Sequence, residues 1–335
     1  VGSEDFREQR RAAAARAENE EKASVSHRYR IPKAGLESFA CGGTMAARRP
    51  WQPMPDSLHM RIRRRAQREQ FLLRKRVYRL THPFPPDGRK VIVLIMGCQR
   101  SGTTLMLELF NNDRRSVTFP EHSTLSSHAE NGLRLKPLPD VKRRLERIRA
   151  PLLVLKPLVE SQHAPNWLDG LENSHAIWMY RRAESVAASD LSYFGVQNGE
   201  RNLRLLLSND PPNWRGEVVP EETRSVVSRH YRPGMNPNDA AALFWWARTS
   251  LFFDLRLDER PDVRLCSYER LVAEPEPTMR LLYGFLGVAY PAPDITGGVR
   301  RRPTPRPEAF TLDSEIRRLC DELRERLESA ESGSR

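Results

Sequence analysis

Three observations predict an α/β fold, with a parallel sheet flanked by helices on both faces and a basic N-terminal helical extension. Short, fully apolar, β-branched runs recur along the chain. Helical stretches alternate with them, the order that a parallel sheet requires. A turn carrying two glycines joins the first run to the first such helix.

The elements follow in order. Residues 1–25 read as a frayed helix or disordered arm. Residues 57–80 read as a basic helix with Ile62, Ala66, Leu73, Val77 and Leu80 near one face. The linker THPFPPDG, 81–88, is rich in breakers and marks the entry to the core. The run VIVLIM at 91–96 is the first strand, buried on both faces. Residues 105–110 continue as a helix. Further strands are expected at 152–155, 176–180 and 263–267. Helices are expected at 183–191, 240–255 (capped by Asn238 or Asp239) and 277–286. The stretch 192–236 holds many Pro, Asn and Arg residues and is expected as a loop-rich insertion. The chain thus divides into an extension at 1–87, partly helical or disordered, one domain at 88–325, and a disordered tail at 326–335.

Composition narrows the function classes. The 335 residues carry a formal net charge of +12. Residues 1–90 hold 21 Lys+Arg against 10 Asp+Glu, so the remainder is nearly neutral. That basic segment suits an anionic partner or simply a solvated helix. There is no run of about 18 apolar residues, so no transmembrane helix is expected. No apolar signal-peptide core opens the chain. The four cysteines, Cys41, Cys98, Cys266 and Cys320, are scattered, which speaks against a zinc site or disulfide framework and for a cytoplasmic setting.

The strongest motif is MGCQRSGTTL at 96–105, between a buried strand and a helix. Gly97 and Gly102 permit tight turns, and successive N–H groups at a helix N-terminus suit phosphate oxygens. The spacing matches a nucleoside-triphosphate P-loop, but Thr103 occupies the lysine position and the cation sits inside the loop at Arg100. An ordinary kinase or GTPase is therefore disfavoured, and no convincing Mg²⁺-binding Asp follows a strand.

The QRSGTT segment, Gln99 to Thr104, resembles the 5′-phosphosulfate loop of sulfotransferases. Arg100 to Met106 is similar in particular to tyrosylprotein sulfotransferases and their bacterial relatives. The resemblance covers about residues 90–290 and implies a P-loop-like sheet and the donor PAPS (3′-phosphoadenosine-5′-phosphosulfate), with PAP as product and no metal. It implies that Gln99, Arg100, Ser101, Gly102, Thr103 and Thr104 hold the donor. In WMYRRAESVAAS, 178–189, it implies that Arg181 and Ser189 bind the 3′-phosphate, with Arg182 the substitute if the register shifts by one. In CSYERLVAEP, 266–275, it implies that Tyr268 lies near the adenine.

For the chemistry, Arg100 is the first cation and Lys156, at a strand end, the second. Glu121 lies 21 residues beyond Arg100, and the resemblance implies that it is the base. His122 competes, because imidazole titrates near neutrality; Glu160 and His163 are outsiders. The acceptor is a hydroxyl compound: a small molecule, sugar, lipid or peptide tyrosine. A homo-oligomer through the N-terminal segment is an open alternative, and nucleic acid is not an expected partner. The rival readings are a P-loop nucleotide kinase and a basic nucleic-acid or anion-binding module.

Overall fold

The structure, a computed structural model, describes residues 58–85, 88–127, 132–208, 213–292, 294–299 and 311–333. The expected arm at 1–25 lies outside them. The chain divides into two units, residues 1–68 and 69–335.

Helix α1, Leu58–Thr81, precedes the core. Five strands follow: β1 (Val91–Gly97), β2 (Ser116–Phe119), β3 (Leu152–Leu155), β4 (Ser174–Tyr180) and β5 (Val263–Ser267). They form one parallel sheet of order β2-β3-β1-β4-β5. Alternate residues of each strand enter different cores. Ile92, Leu94 and Met96 of β1 join Leu153, Leu155 and Trp178 on one face. Val93 and Ile95 join Val154, Ile177 and Met179 on the other. Both faces are dry, which is why the strands read as continuous apolar runs.

Helix α2, Thr103–Asn112, follows β1 and carries the chain out to edge strand β2. Helices α3 (Leu138–Glu146) and α4 (Ala164–Gly170) flank β3, with a 3₁₀ segment, Leu158–His163, just before α4. After β4 come α5 (Ala183–Phe194), α6 (Asn198–Leu207), α7 (Glu221–His230) and α8 (Pro237–Asp254). After β5 come α9 (Tyr268–Ala273), α10 (Pro275–Phe285) and α11 (Ser314–Gly333).

Three expectations need correction. The stretch 192–236 contains α6 and α7, which bury Leu203, Leu206 and Val227; these few apolar positions suffice because α8 offers both helices a buried surface. The cap of α8 is Asn236, whose side chain accepts from the Asn238 N–H. Helix α11 runs on to Gly333, into the expected tail, because Leu327 is fully buried. Among the described residues no helix is long and apolar enough to cross a membrane.

The connection after β1 leads toward β2, and the one after β4 leads toward β5. The crevice at the carboxyl ends of β1 and β4 is therefore a topological switch point, the place where such sheets bind ligands.

Candidate active site

The loop at 98–102 sits on that crevice. Gly97 has φ +122, and a Cβ there would lie 2.2 Å from the Met179 carbonyl oxygen of β4. Gly102 has φ +93, and a Cβ there would lie 2.4 Å from Cδ2 of Tyr268. Between them Arg100 also adopts a left-handed conformation, φ 66, which costs a non-glycine residue free energy and is concentrated at functional sites. The Ser161 hydroxyl, from the 3₁₀ segment, accepts from Gly97 N at 3.1 Å. Ser101 is fully buried, and its Oγ has no hydrogen-bond partner among the described residues. An orphaned hydroxyl in a loop of amides is the feature that an incoming phosphate would satisfy.

One flank of the loop faces β3. Lys156 follows that strand and is 7% exposed. Its Nζ donates to Thr104 Oγ1 at 3.0 Å and pairs with Glu121 Oε2 at 3.0 Å. A hydroxyl from the first turn of α2, a cation after β3 and a carboxylate after β2 thus converge on one point. Glu121 is aimed there by the end of β2, and its backbone carbonyl accepts from Ser126 Oγ. His122, the competing base, is exposed and turns toward Gly132, with no hydrogen bond or ion pair among the described residues.

The other flank faces α5 and α9. Arg100 Nε donates to Ser189 Oγ at 3.0 Å, and the guanidinium lies 4.4 Å from the Tyr193 ring centroid. The first expected cation therefore points toward α5, and the cation beside Glu121 is Lys156. Arg181 lies 4.3 Å from the centroid of Tyr268, and its Nη1 reaches the Arg100 carbonyl at 3.5 Å. Arg182 is exposed at the start of α5, with its backbone N–H on Glu269. Arg181, Ser189 and Tyr268 gather around one side of the loop, while Thr103 is buried beneath it.

Sequence reasoning missed several partners. Asp190 accepts from Gln99 Nε2 and from Asn198 Nδ2, each at 2.8 Å. Burial pushes its carboxyl above the usual range, against the pull of those two bonds. The adjacency of Asp190 to Ser189 was the only available signal. The outsiders Glu160 and His163 belong to a polar cluster beside the site. Glu160 pairs with Arg134 at 3.0 Å. Glu217 meets Arg134 at 2.6 Å and His163 at 3.0 Å. Burial pushes the Glu217 carboxyl up, but the bonds from Arg134 and His163 hold it below the usual range. Cys98, inside the loop, is buried, and desolvation pushes its thiol up to about 12.

No family model matches the chain, and no curated protein does. Among solved structures it is similar to the sulfotransferase domain from the curacin biosynthetic pathway, with 17% identity over 71% of this chain and 99% of that one and a TM-score of 0.42. A sulfotransferase from Alicyclobacillus acidocaldarius shares 16% identity over 72% of this chain and 96% of its own, with a TM-score of 0.42. A mouse sulfotransferase complexed with PAP shares 14% identity over 71% and 66%, with a TM-score of 0.35.

Proposed function

We propose that this chain is a sulfotransferase that moves a sulfuryl group from PAPS to an acceptor hydroxyl. The observation that carries this reading is the convergence of Lys156, Thr104 and Glu121 beside a glycine-bounded loop whose buried Ser101 hydroxyl lacks a partner among the described residues. The residues fit the donor. The loop amides and Ser101 would take the 5′-phosphate, Arg181 and Ser189 the 3′-phosphate, and Tyr268 would flank the base.

Bound PAPS supplies a sulfuryl group on a phosphate leaving group. Sulfuryl transfer makes the demands of phosphoryl transfer: an aligned acceptor, stabilised equatorial charge and a destination for the acceptor proton. Glu121 takes that proton as the acceptor oxygen bonds to sulfur and the bridging S–O bond breaks. Lys156 orients Glu121 and, through its bond to Thr104, stands where negative charge grows on the leaving oxygen. Arg100 adds a second positive charge from the opposite flank. Ser161 holds the first loop amide in place.

The test is transfer of labelled sulfate from PAPS to a panel of phenols, sugars, lipids and tyrosyl peptides, with calorimetry of PAP alongside. The expected result is PAP binding that EDTA leaves unchanged and label on at least one hydroxyl acceptor. Binding of ATP that requires Mg²⁺ and exceeds that of PAP would replace this reading by the kinase one. Binding of PAP lost on removing residues 1–85 would favour the anion-binding module.

A further inference from the structure

Among the side chains described for helix α1, the inward face is mixed, with half-buried Phe71 and Tyr78 beside buried Lys75. Lys75 is 4% exposed, and its Nζ donates to Asn111 Oδ1 at 2.9 Å, Ser116 Oγ at 3.2 Å and Ser116 O at 3.3 Å. Arg79 Nη2 donates to the same Ser116 carbonyl at 2.9 Å. A separate apolar stripe looks outward: Leu73 is 61% exposed, Val77 49% and Leu80 82%. These residues stand at i, i+4 and i+7, one stripe along the helix. Exposed Arg74 and Arg76 fall on its two sides at 100° per residue. On the Arg74 side a cavity of about 430 Å³ opens, lined in part by Tyr78 and by exposed Arg114. Arg115, the third arginine there, is already held by Asp113 at 2.8 Å.

We propose that this face of α1 docks the protein on an anionic lipid surface. Leu73, Val77 and Leu80 enter the acyl boundary, while Arg74, Arg76 and Arg114 meet the headgroups. Charge complementarity selects this occupant. The helix carries nine Lys or Arg against one Glu. A second copy of it is repelled, and three apolar side chains fall far short of the roughly 800 Å² per partner that a stable dimer buries. Residues 1–57 are themselves net positive, with ten Lys or Arg against eight Asp or Glu, and offer no anionic match. A nucleic acid would use the arginines but leave the leucines in water. An apolar stripe between rows of arginine is what an in-plane interfacial helix presents. Lys75 and Arg79 anchor α1 beside the start of β2, whereas the phosphate loop lies at the strands' carboxyl ends, so docking leaves the loop accessible.

Co-sedimentation of the full chain with vesicles tests this. Vesicles of phosphatidylcholine with about 30% phosphatidylserine should pellet the protein, and phosphatidylcholine alone should not; raised salt should weaken the binding. The Leu73→Gln/Leu80→Gln variant should lose at least about tenfold in partitioning, while its circular dichroism and melting temperature stay unchanged, both changes being on exposed positions. A separate Arg74→Gln/Arg76→Gln variant should lose the dependence on phosphatidylserine. Three results would overturn the proposal: no binding to anionic vesicles, a native-like Leu73→Gln/Leu80→Gln variant that binds as well as the parent, or light scattering that shows a dimer which this variant dissolves. Binding of a DNA duplex that survives both leucine changes while vesicle binding is absent would assign the face to nucleic acid. None of these readouts involves PAPS, so they stand apart from the catalytic reading.

Discussion

On the β3 side of the 98–102 loop, a buried ammonium touches one hydroxyl and one carboxylate, both at 3.0 Å. On the α5 side, Arg100 and Arg181 lie against the rings of Tyr193 and Tyr268, and Arg100 also acts on the Asp190 carboxylate. The first flank sets one cation against one carboxylate, in a geometry fixed by the sheet. The second gathers two guanidiniums over aromatic faces. One loop therefore separates two tasks. The first flank suits moving a proton and stabilising a transition state; the second suits gripping a phosphorylated nucleotide.

That contrast breaks most visibly at Glu121. With Glu121→Gln, turnover should fall by about 10²–10⁴ while PAP affinity by calorimetry stays within error. His122→Ala is the control and should leave turnover near the parent value; loss at His122 with retention at Glu121 would move the base. Arg100→Ala should lie between the flanks, losing turnover and some PAP affinity together, the outcome expected of a charge that meets the nucleotide before and during reaction. A change in turnover alone would place Arg100 wholly with the chemistry.

Arg181→Ala should affect binding. Losing a charge-assisted hydrogen bond costs on the order of 1.5–3 kcal/mol, so PAP should weaken by at least about tenfold. Adenosine 5′-phosphosulfate, which lacks the 3′-phosphate, should weaken much less. Equal losses for both nucleotides would show that Arg181 does not read that phosphate.

The smallest effect concerns Asp190. Its folded carboxyl is raised by burial, so the folded state holds the proton at a pH where the unfolded state has released it. Its contribution is present below the ordinary carboxylate range and declines as pH rises through the raised value. Denaturant midpoints from about pH 3.5 to 7 should therefore fall for the parent relative to Asp190→Asn. Parallel curves would mean that Gln99 and Asn198 fully offset the burial.

What was legible in the sequence follows the same division. Four strands were readable because their apolar runs are buried on two faces, whereas the short edge strand β2, with Val117 and Thr118 only half-buried, was not among the expected strands; the loop was readable because glycines at fixed spacing sit between a strand and a helix. Glu121 and Lys156 could be named one at a time, but not as partners. Their meeting depends on β2 and β3 pairing in register, a contact across 35 positions of chain. Asp190 stayed hidden because its partner Gln99 is 91 residues away. Helices α6 and α7 were masked by their Pro-, Asn- and Arg-rich surroundings, and only the surface of α8 makes their few apolar residues sufficient. The direction of Arg100 was equally out of reach, since it turns on Ser189 and Tyr193 lying beneath it.

The two glycines of the loop have separate origins. Gly97 is required by the Met179 carbonyl of the neighbouring strand, and Gly102 by the ring of Tyr268. Neither requirement involves a phosphate. A descendant of this chain that kept its sheet and this turn would still spell glycine at 97 and, because of its φ of +93 as well as the Tyr268 ring, at 102. No such backbone constraint holds Thr104, Glu121 or Lys156, which the sheet tolerates as other side chains. Glycine spacing thus records ancestry of the scaffold, and the polar letters between and beyond record whether the scaffold is still in use.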